Sequence, residues 1–428
     1  MKKQIAHFIF LTLGFTFVGA QQLDVDLEIR PRYEYNHGAK TLAPENTDPD
    51  NTIDQRSRLN IGYKHDKVQV YFTLQDVRIW GEEINTMNNT SVRSVDNAMT
   101  EIHQAWAKIN LGKKYAFKFG RQEIALDDHR ILGNVGWAQQ ARAFDAGVFK
   151  ANYENGWKAD LGFAFNQTDN LFTNGSIHEG VDFKSMQYLW LHKDFKNLKA
   201  SFLAMNTGWQ SEDLTTGDAK SGTQNRQTWG THLKYNQGGL AVTGNFYYQS
   251  GEDRKERDIS AWLIGMDAQY KFKNNFSVGA GGEYQSGTDY DENNKNNSFN
   301  PLFGTNHKFN GLIDYFYVGN HINNVGLIDL YAKVGYAKNK WFVKGAVHSF
   351  SAPADMSADS KSHLGMEMDI TAGYKYTKDI KFQAGYSQMF ESEGMEQLKN
   401  VNNPADFNNW GYLMITVNPR IFSKKLDF

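Results

Sequence analysis

From residue 22 onward the chain alternates apolar and polar side chains. Leu23, Val25, Leu27, Ile29, Tyr33 and Tyr35 fall on one face, and Asp24, Asp26, Glu28, Arg30, Arg32 and Glu34 on the other. A period of two marks an extended strand whose two faces meet different surroundings. The pattern recurs in segments near 22–36, 53–64, 67–78, 101–111, 114–122, 141–152, 156–166, 183–193, 197–207, 226–236, 239–249, 258–271, 274–286, 326–337, 340–351, 363–376, 379–389 and 409–418, about eighteen in all. Each is roughly ten residues or a little more, the length a tilted strand needs to cross a bilayer. The connections alternate too. Short turns sit at His65-Asp66, Gly112-Lys113, Glu154-Asn155, Phe195-Lys196, Gln237-Gly238, Lys273-Asn274, Asn339 and Lys378. Long polar loops lie between them, at 37–52, 79–100, 123–140, 167–182, 208–225, 250–257, 287–325, 352–362 and 390–408. These features predict an all-β fold, a transmembrane antiparallel β-barrel with short periplasmic turns and long extracellular loops. Closure removes the sheet edges that lipid does not tolerate. A large soluble β-protein such as a propeller is the rival, and no blade repeat supports it. The last strand is read as ending near Pro419, with a short periplasmic tail after it.

Composition narrows the choice. Hydrophobic residues make up 40% of the chain and aromatics 14%, with a mean hydropathy of -0.61. That is too polar for a bundle of membrane helices, and no run of eighteen apolar residues follows the N-terminus. Cysteine is absent, which excludes disulfides and thiolate metal sites. The net charge of -2 gives no reason to expect nucleic acid. Residues 1–20 read as a secretory signal peptide, with Lys2 and Lys3 ahead of an apolar run and Val18, Gly19 and Ala20 before the cut. Residues 21–428 then form one outer-membrane barrel domain, without a linker or appended module.

In such a barrel, function lies in the inward side chains and in loops folded over them. Arg30, Arg32, Arg56 and Arg58 fall on the polar faces of the first two strands, and Lys108, Lys158, Lys234 and Lys333 on those of later ones. Guanidinium groups match carboxylates in pairs, and several around a narrowing favour an anionic solute. The plain alternative is that inward charges pair across strands and hold the barrel's shape. The stretch 120–145, GRQEIALDDHRILGNVGWAQQARAFD, is a highly charged connection between two strands. It is a candidate for folding inward, with Arg121, Arg130 and Arg142 as cations and Asp127, Asp128 and Asp145 as counter-ions. The phase is ambiguous, because Phe117 and Phe119 would carry Arg121 to the lipid side unless a bulge intervenes.

Several motifs resemble the alginate export family of outer-membrane β-barrel porins. They are Gly120-Arg121-Gln122, the acidic pair before His129-Arg130, Gly133, Trp137, and Arg142 with Phe144-Asp145. The stretches NPLFGTNHKFNGLIDYFYVGN (300–320) and GLIDLYAKVGY (326–336) agree as well. The resemblance implies an eighteen-stranded barrel whose arginine-rich channel passes an anionic polysaccharide. It also makes Arg121, Arg130, Arg142 and Asp145 the constriction residues. The expected protein is thus a monomeric outer-membrane channel for an anionic oligo- or polysaccharide, alginate- or uronate-like, with lipid around it. The alternatives are a porin for other small solutes and a plugged structural or adhesive barrel. No enzyme is expected, since His348-Ser349, His192 with Asp194, and His307 lack a nucleophile turn. No metal or cofactor is expected; Asp127, Asp128 and His129 are read as a solvated loop ahead of a Ca²⁺ site. Tyr315, Phe316 and Tyr317 are read as rim packing ahead of a sugar platform.

Overall fold

The computed structural model describes residues 21–81, 99–166, 183–213, 216–321 and 324–426. The leader expected at 1–20 lies outside them, as do the whole of the loop expected at 167–182 and most of that expected at 79–100. The strands in chain order are β1 (Gln21–His37), β2 (Asp50–Lys64), β3 (Val68–Ile79), β4 (Met99–Asn110), β5 (Tyr115–Gln122), β6 (Phe144–Asn152) and β7 (Trp157–Phe165). There follow β8 (Ser185–Asp194), β9 (Leu198–Glu212), β10 (Ala219–Gln237), β11 (Leu240–Glu252), β12 (Asp258–Lys271) and β13 (Phe276–Gln285). The last are β14 (Lys295–Asn296), β15 (Leu327–Lys338), β16 (Trp341–Ser351), β17 (His363–Lys375), β18 (Ile380–Glu391), β19 (Asn408–Val417) and β20 (Arg420–Leu426), with one short helix, α1 (Glu393–Lys399), before β19.

Consecutive strands pair antiparallel all the way round, and β19 returns to pair with β1. β14 is a two-residue bridge inside a loop, and β20 prolongs β19. Of the twenty strands, eighteen therefore form the closed wall. The tail expected after Pro419 is not free. Pro419 has no N–H to give, so the ladder breaks there. Its carbonyl instead accepts from the Leu27 amide at 3.0 Å, and pairing with β1 resumes from Asp26↔Arg420 to Gln21↔Leu426.

Alternation decides which side each residue takes. Ile29, Val70, Phe163, Met266, Leu330 and Leu413 are exposed on the outer face, where lipid replaces water. Tyr115, Trp157, Phe195, Phe272, Trp341 and Tyr376 cluster by the short turns and are exposed as well. Neighbouring rings pack across strands, as Trp341 does on Tyr374 at 4.3 Å and Phe117 on Phe149 at 4.5 Å. Each such pair contributes roughly 0.2–1 kcal/mol to the sheet. Among the described residues no helix is long and apolar enough to cross a membrane.

The bore is less polar than the alternation alone implies. Two apolar clusters sit inside it. One joins Ile131, Leu132, Phe299 and Leu302 of the loops to Met186, Leu203, Ala261 and Leu263 of the wall. The other joins Leu42, Ile313, Tyr315 and Phe316 to Phe350, Leu364, Trp410 and Tyr412. Loops from the long-loop end have folded into the bore and buried their apolar side chains against apolar patches of its wall. Tyr315 and Phe316 belong to this packing, the Tyr315 hydroxyl donating to the Gly38 carbonyl at 2.5 Å.

Candidate solute pathway and its constriction

Two inserted loops, 123–143 and 286–326, meet inside the bore. Leu132 and Phe303 form a parallel bridge. The Gly133 amide donates to the Phe303 carbonyl at 2.8 Å, and the Thr305 amide to that of His129 at 2.9 Å. Val135 is held at φ 49°, a costly conformation for a β-branched residue. Its amide donates to the Thr305 hydroxyl at 3.1 Å, which ties the strained turn to the second loop.

Beyond Val135 the first loop runs past β1, β2 and β3, with its carbonyls turned to the wall. Arg30 donates to Gly136 O at 2.8 Å, to Trp137 O at 2.9 Å and to the Gln139 side chain at 2.8 Å. Arg32 donates to Trp137 O at 3.0 Å, and Gln75 to Gln140 O at 2.9 Å. Arg56 reaches Ala138 O at 3.3 Å. These arginines are also balanced electrically: Arg56 by Glu28 at 2.6 Å, and Arg32 by Asp54 at 2.9 Å and by Glu34. Arg30, Arg32 and Arg56 are buried. The predicted arginine cluster therefore stands behind the loop and holds it. Arg58 lies lower on the same wall, donating to Gln75 at 2.6 Å with Glu123 at 4.0 Å. Trp137 is the hub of this contact. The Arg32 guanidinium lies 4.6 Å over its ring, and the His307 ring stacks on it at 4.7 Å.

Arg130, 1% exposed, is where both loops and the wall converge. It grips Glu283 of β13 with two nitrogens at 2.6 and 2.8 Å, and donates to Asn306 at 2.8 Å and Asn310 at 3.2 Å. Arg142 donates to Gly304 O at 3.3 Å. The second loop has its own anchor. The Leu312 and Ile313 amides donate to one oxygen of Glu367 on β17, at 2.5 and 2.9 Å. Gly311 permits this approach. It sits at φ 84°, and a Cβ there would lie about 2.5 Å from the same carboxylate.

Arg121 and Asp145 are on the other side of the wall. They face each other across β5 and β6, paired at 2.7 Å and exposed. Phe119 and Phe149 on the same strands point outward with them. The phase of Phe117 and Phe119 holds through Gly120, and no bulge turns Arg121 inward. Gly120 itself, at φ 108°, stands where a Cβ would run into the Ala105 carbonyl. Lys108 faces the bore, as does Lys333, which is bound to Asp267 at 2.5 Å. The acidic turn of the first loop docks on the wall. Asp127 accepts from the Trp190 indole at 3.1 Å and from Ser201, and Asp128 from Asn245 at 2.7 Å. Burial pushes the Asp127 carboxyl above its usual range. Among the described residues no group of His, Asp and Glu is arranged to hold a metal ion. Sequence reasoning missed Gly311, Gln139 and Asn310 as parts of the site. Their only trace was membership of the two quoted stretches.

His321 makes the second loop sensitive to acid. Its Nε2–H donates to Gly326 O at 2.8 Å, and its Nδ1 accepts from Asn324 at 3.1 Å. Burial, helped by the charge of Lys399, pushes its pKa down to about 3. A released loop would bind the proton near 6.5, so docking is strongest above that pH and is lost as pH falls toward 3. We expect protease cleavage of 286–326 to accelerate by roughly tenfold per pH unit between 6 and 4. A His321→Gln variant should show a flat profile over that range.

A closed wall of eighteen strands, apolar outside, with loops folded into a charged bore, is the architecture of an outer-membrane β-barrel channel of the porin class. The model of the alginate export family matches residues 21–399, and the chain belongs to that family. The fold is shared with several solved porins. OccK9 (OpdG) of Pseudomonas aeruginosa aligns with a TM-score of 0.64 at 12% identity, over 93% of this chain and 98% of that one. A BenF-like porin from Pseudomonas fluorescens Pf-5 gives 0.63 at 10% identity, over 93% and 99%. OccAB1 of Acinetobacter baumannii gives 0.63 at 12% identity, over 94% and 97%. Comparison with curated protein sequences yields no match.

Proposed function

We propose that the channel passes an anionic oligo- or polysaccharide of the uronate kind, between the docked loops and the wall. The observation that carries this is an imbalance of pairing in the bore. Inward carboxylates are engaged: Glu28 by Arg56, Asp54 by Arg32, Glu283 by Arg130, Asp160 by Lys150, Asp267 by Lys333 and Asp329 by His348. Inward lysines such as Lys108, Lys118, Lys234 and Lys381 have no carboxylate at ion-pair distance among the described residues. What remains for a solute to feel is positive. Arg130 and Arg142 on the loops and Arg30, Arg32, Arg56 and Arg58 behind them fix the narrowing, while Lys108 supplies field along the wall. Family membership supports a uronate polymer as the cargo, and because one chain closes the wall we take the monomer as the conducting unit.

Reversal potentials across a KCl gradient in planar bilayers test the reading. Chloride should be preferred to potassium, and an oligouronate should block the current more strongly than a neutral oligosaccharide of equal length. Equal block would make the protein a general porin, and absence of conductance would make it a plugged barrel. The outward pair serves as a control. Arg121→Gln with Asp145→Asn should leave selectivity and block unchanged, because the pair lies outside the bore.

A further inference from the structure

We propose that the short-turn mouth of the bore is a capture ring for a linear polyanion, built from three directly opposed lysine pairs. The pairs are Lys108 with Lys118, Lys199 with Lys234, and Lys375 with Lys381. This rests on the anionic cargo proposed above, and adds where and from which side that cargo is first held.

Every lysine of the six points into the bore. Lys118 lies between Phe117 and Phe119, whose rings stack together on the outer face. Leu233 beside Lys234 and Phe382 beside Lys381 are exposed to lipid. All six sit near short turns, with Lys375 directly before 376–379 and Lys381 two residues after it. Around the wall the pairs stand five, seven and six strands apart, close to even thirds of the circumference.

Like charges directly opposite on a sheet destabilise it, and several inward cations of this bore are matched with carboxylates, as Lys150 with Asp160, Lys158 with Asp194 and Lys333 with Asp267. The lysines of the three opposed pairs are not matched in that way. Among the described residues only Lys199 of the six reaches a carboxylate, Asp194 at 3.3 Å, which Lys158 already holds at 2.7 Å. Lys118 rests 4.0 Å over the Trp106 ring, a contact that leaves its charge uncompensated. The ends of the barrel differ in the same sense. The short turns carry Lys67, Lys113, Lys114, Lys196, Lys273 and Lys340 against Asp66, Glu154 and Asp379. In the described long loops carboxylates prevail, as in Asp289, Asp291, Glu292, Asp355 and Asp359.

Short turns are periplasmic in barrels of this class. A polyanion is thus attracted at the periplasmic mouth and repelled by the outer rim. Such a field does not set the direction of net flux. It sets how fast the chain end is found from each side. Because the lysines line the inner wall, a flexible chain can thread among them and a folded acidic protein cannot.

The test is single-channel block by a purified oligogalacturonate, added to one side at a time of channels inserted in one orientation. At 0.1 M salt the block on-rate from the short-turn side should exceed that from the loop side by about tenfold. The difference should vanish near 1 M salt, where the screening length is about 3 Å. Replacing the six lysines by glutamine should abolish the side preference, and replacing them by arginine should retain it. Preserved barrel folding is read from the gel shift on heating. An anion-selective channel blocked equally fast from both sides overturns the ring and leaves the proposed cargo standing. Side preference surviving in the glutamine variant also overturns it, as does equal block by an acidic globular protein. A channel without anion preference removes the reading on which the ring rests.

Discussion

Replacing Arg30 and Arg56 together by methionine is expected to raise the channel conductance several-fold and to expose 123–143 to protease. The two side chains keep the methylene packing of the wall but lose the donors that face Gly136, Trp137, Ala138 and Gln139. A hydrogen bond from a charged donor contributes about 1.5–3 kcal/mol, and several are lost at once. Glu28 is left without its guanidinium, a further cost in a half-buried position. The stretch 136–139 then keeps the Arg32 donor to Trp137 and the Gln139–Asp54 bond to the wall, while the rest of the loop retains its apolar contacts, its docked acidic turn and the Arg130–Glu283 pair. Conductance steps and time courses of limited proteolysis read the result. Should both stay at wild-type values, the apolar cluster around Ile131 and Leu132 holds the loop and the arginines do not.

Arg130→Met is expected to cost the most stability of any single change in the bore, about 3–5 kcal/mol, because it leaves the buried Glu283 without a cation, held only by the neutral donors of Gln285 and Asn310. Combining it with Glu283→Gln should recover at least half of that loss, since both charges then leave together. Thermal unfolding followed by tryptophan fluorescence measures the difference, with Trp137 close to the affected loops. A double variant as unstable as the single one would assign the loss to the bonds with Asn306 and Asn310 instead of the ion pair.

The wall was legible because a barrel imposes one rule on every strand. Period-two alternation located the strands to within a few residues over most of the chain. It failed where the rule stops applying. β9 and β10 run on to Glu212 and back from Ala219, past the apolar band, and there the residues are mostly polar, with Trp209 turned to the inner apolar cluster. The phase of Phe117 and Phe119 gave the outward direction of Arg121 correctly, whereas the motif suggested the reverse. A motif records that residues belong together, and Arg121 and Asp145 do; it does not record on which side of a sheet. The inner apolar patches also left a sign. Ile259, Ala261 and Leu263 on the inner face and Trp262 and Ile264 on the outer are apolar, as expected of a strand with lipid on one side and a docked loop on the other. What the sequence concealed was the arginines' task. Their partners are main-chain carbonyls of 136–139, and every residue type has a carbonyl, so nothing in the side chains of that stretch marks them. Gly311 was hidden for the opposite reason, because its contribution is the side chain it lacks.

The seam at Pro419 has a consequence for assembly. Arg420 bonds to Asp26 across a separation of 394 residues, so the ring shuts only by joining nearly the whole length of the polypeptide. Contacts so distant in sequence form slowly, since the ends must find each other before the pairing rewards them. Until then β1 and β19 are bare edges able to pair with another chain. The sheet therefore stays open until Arg420–Leu426 reach β1, and throughout that interval its two edges are where a second copy of the chain could add a strand.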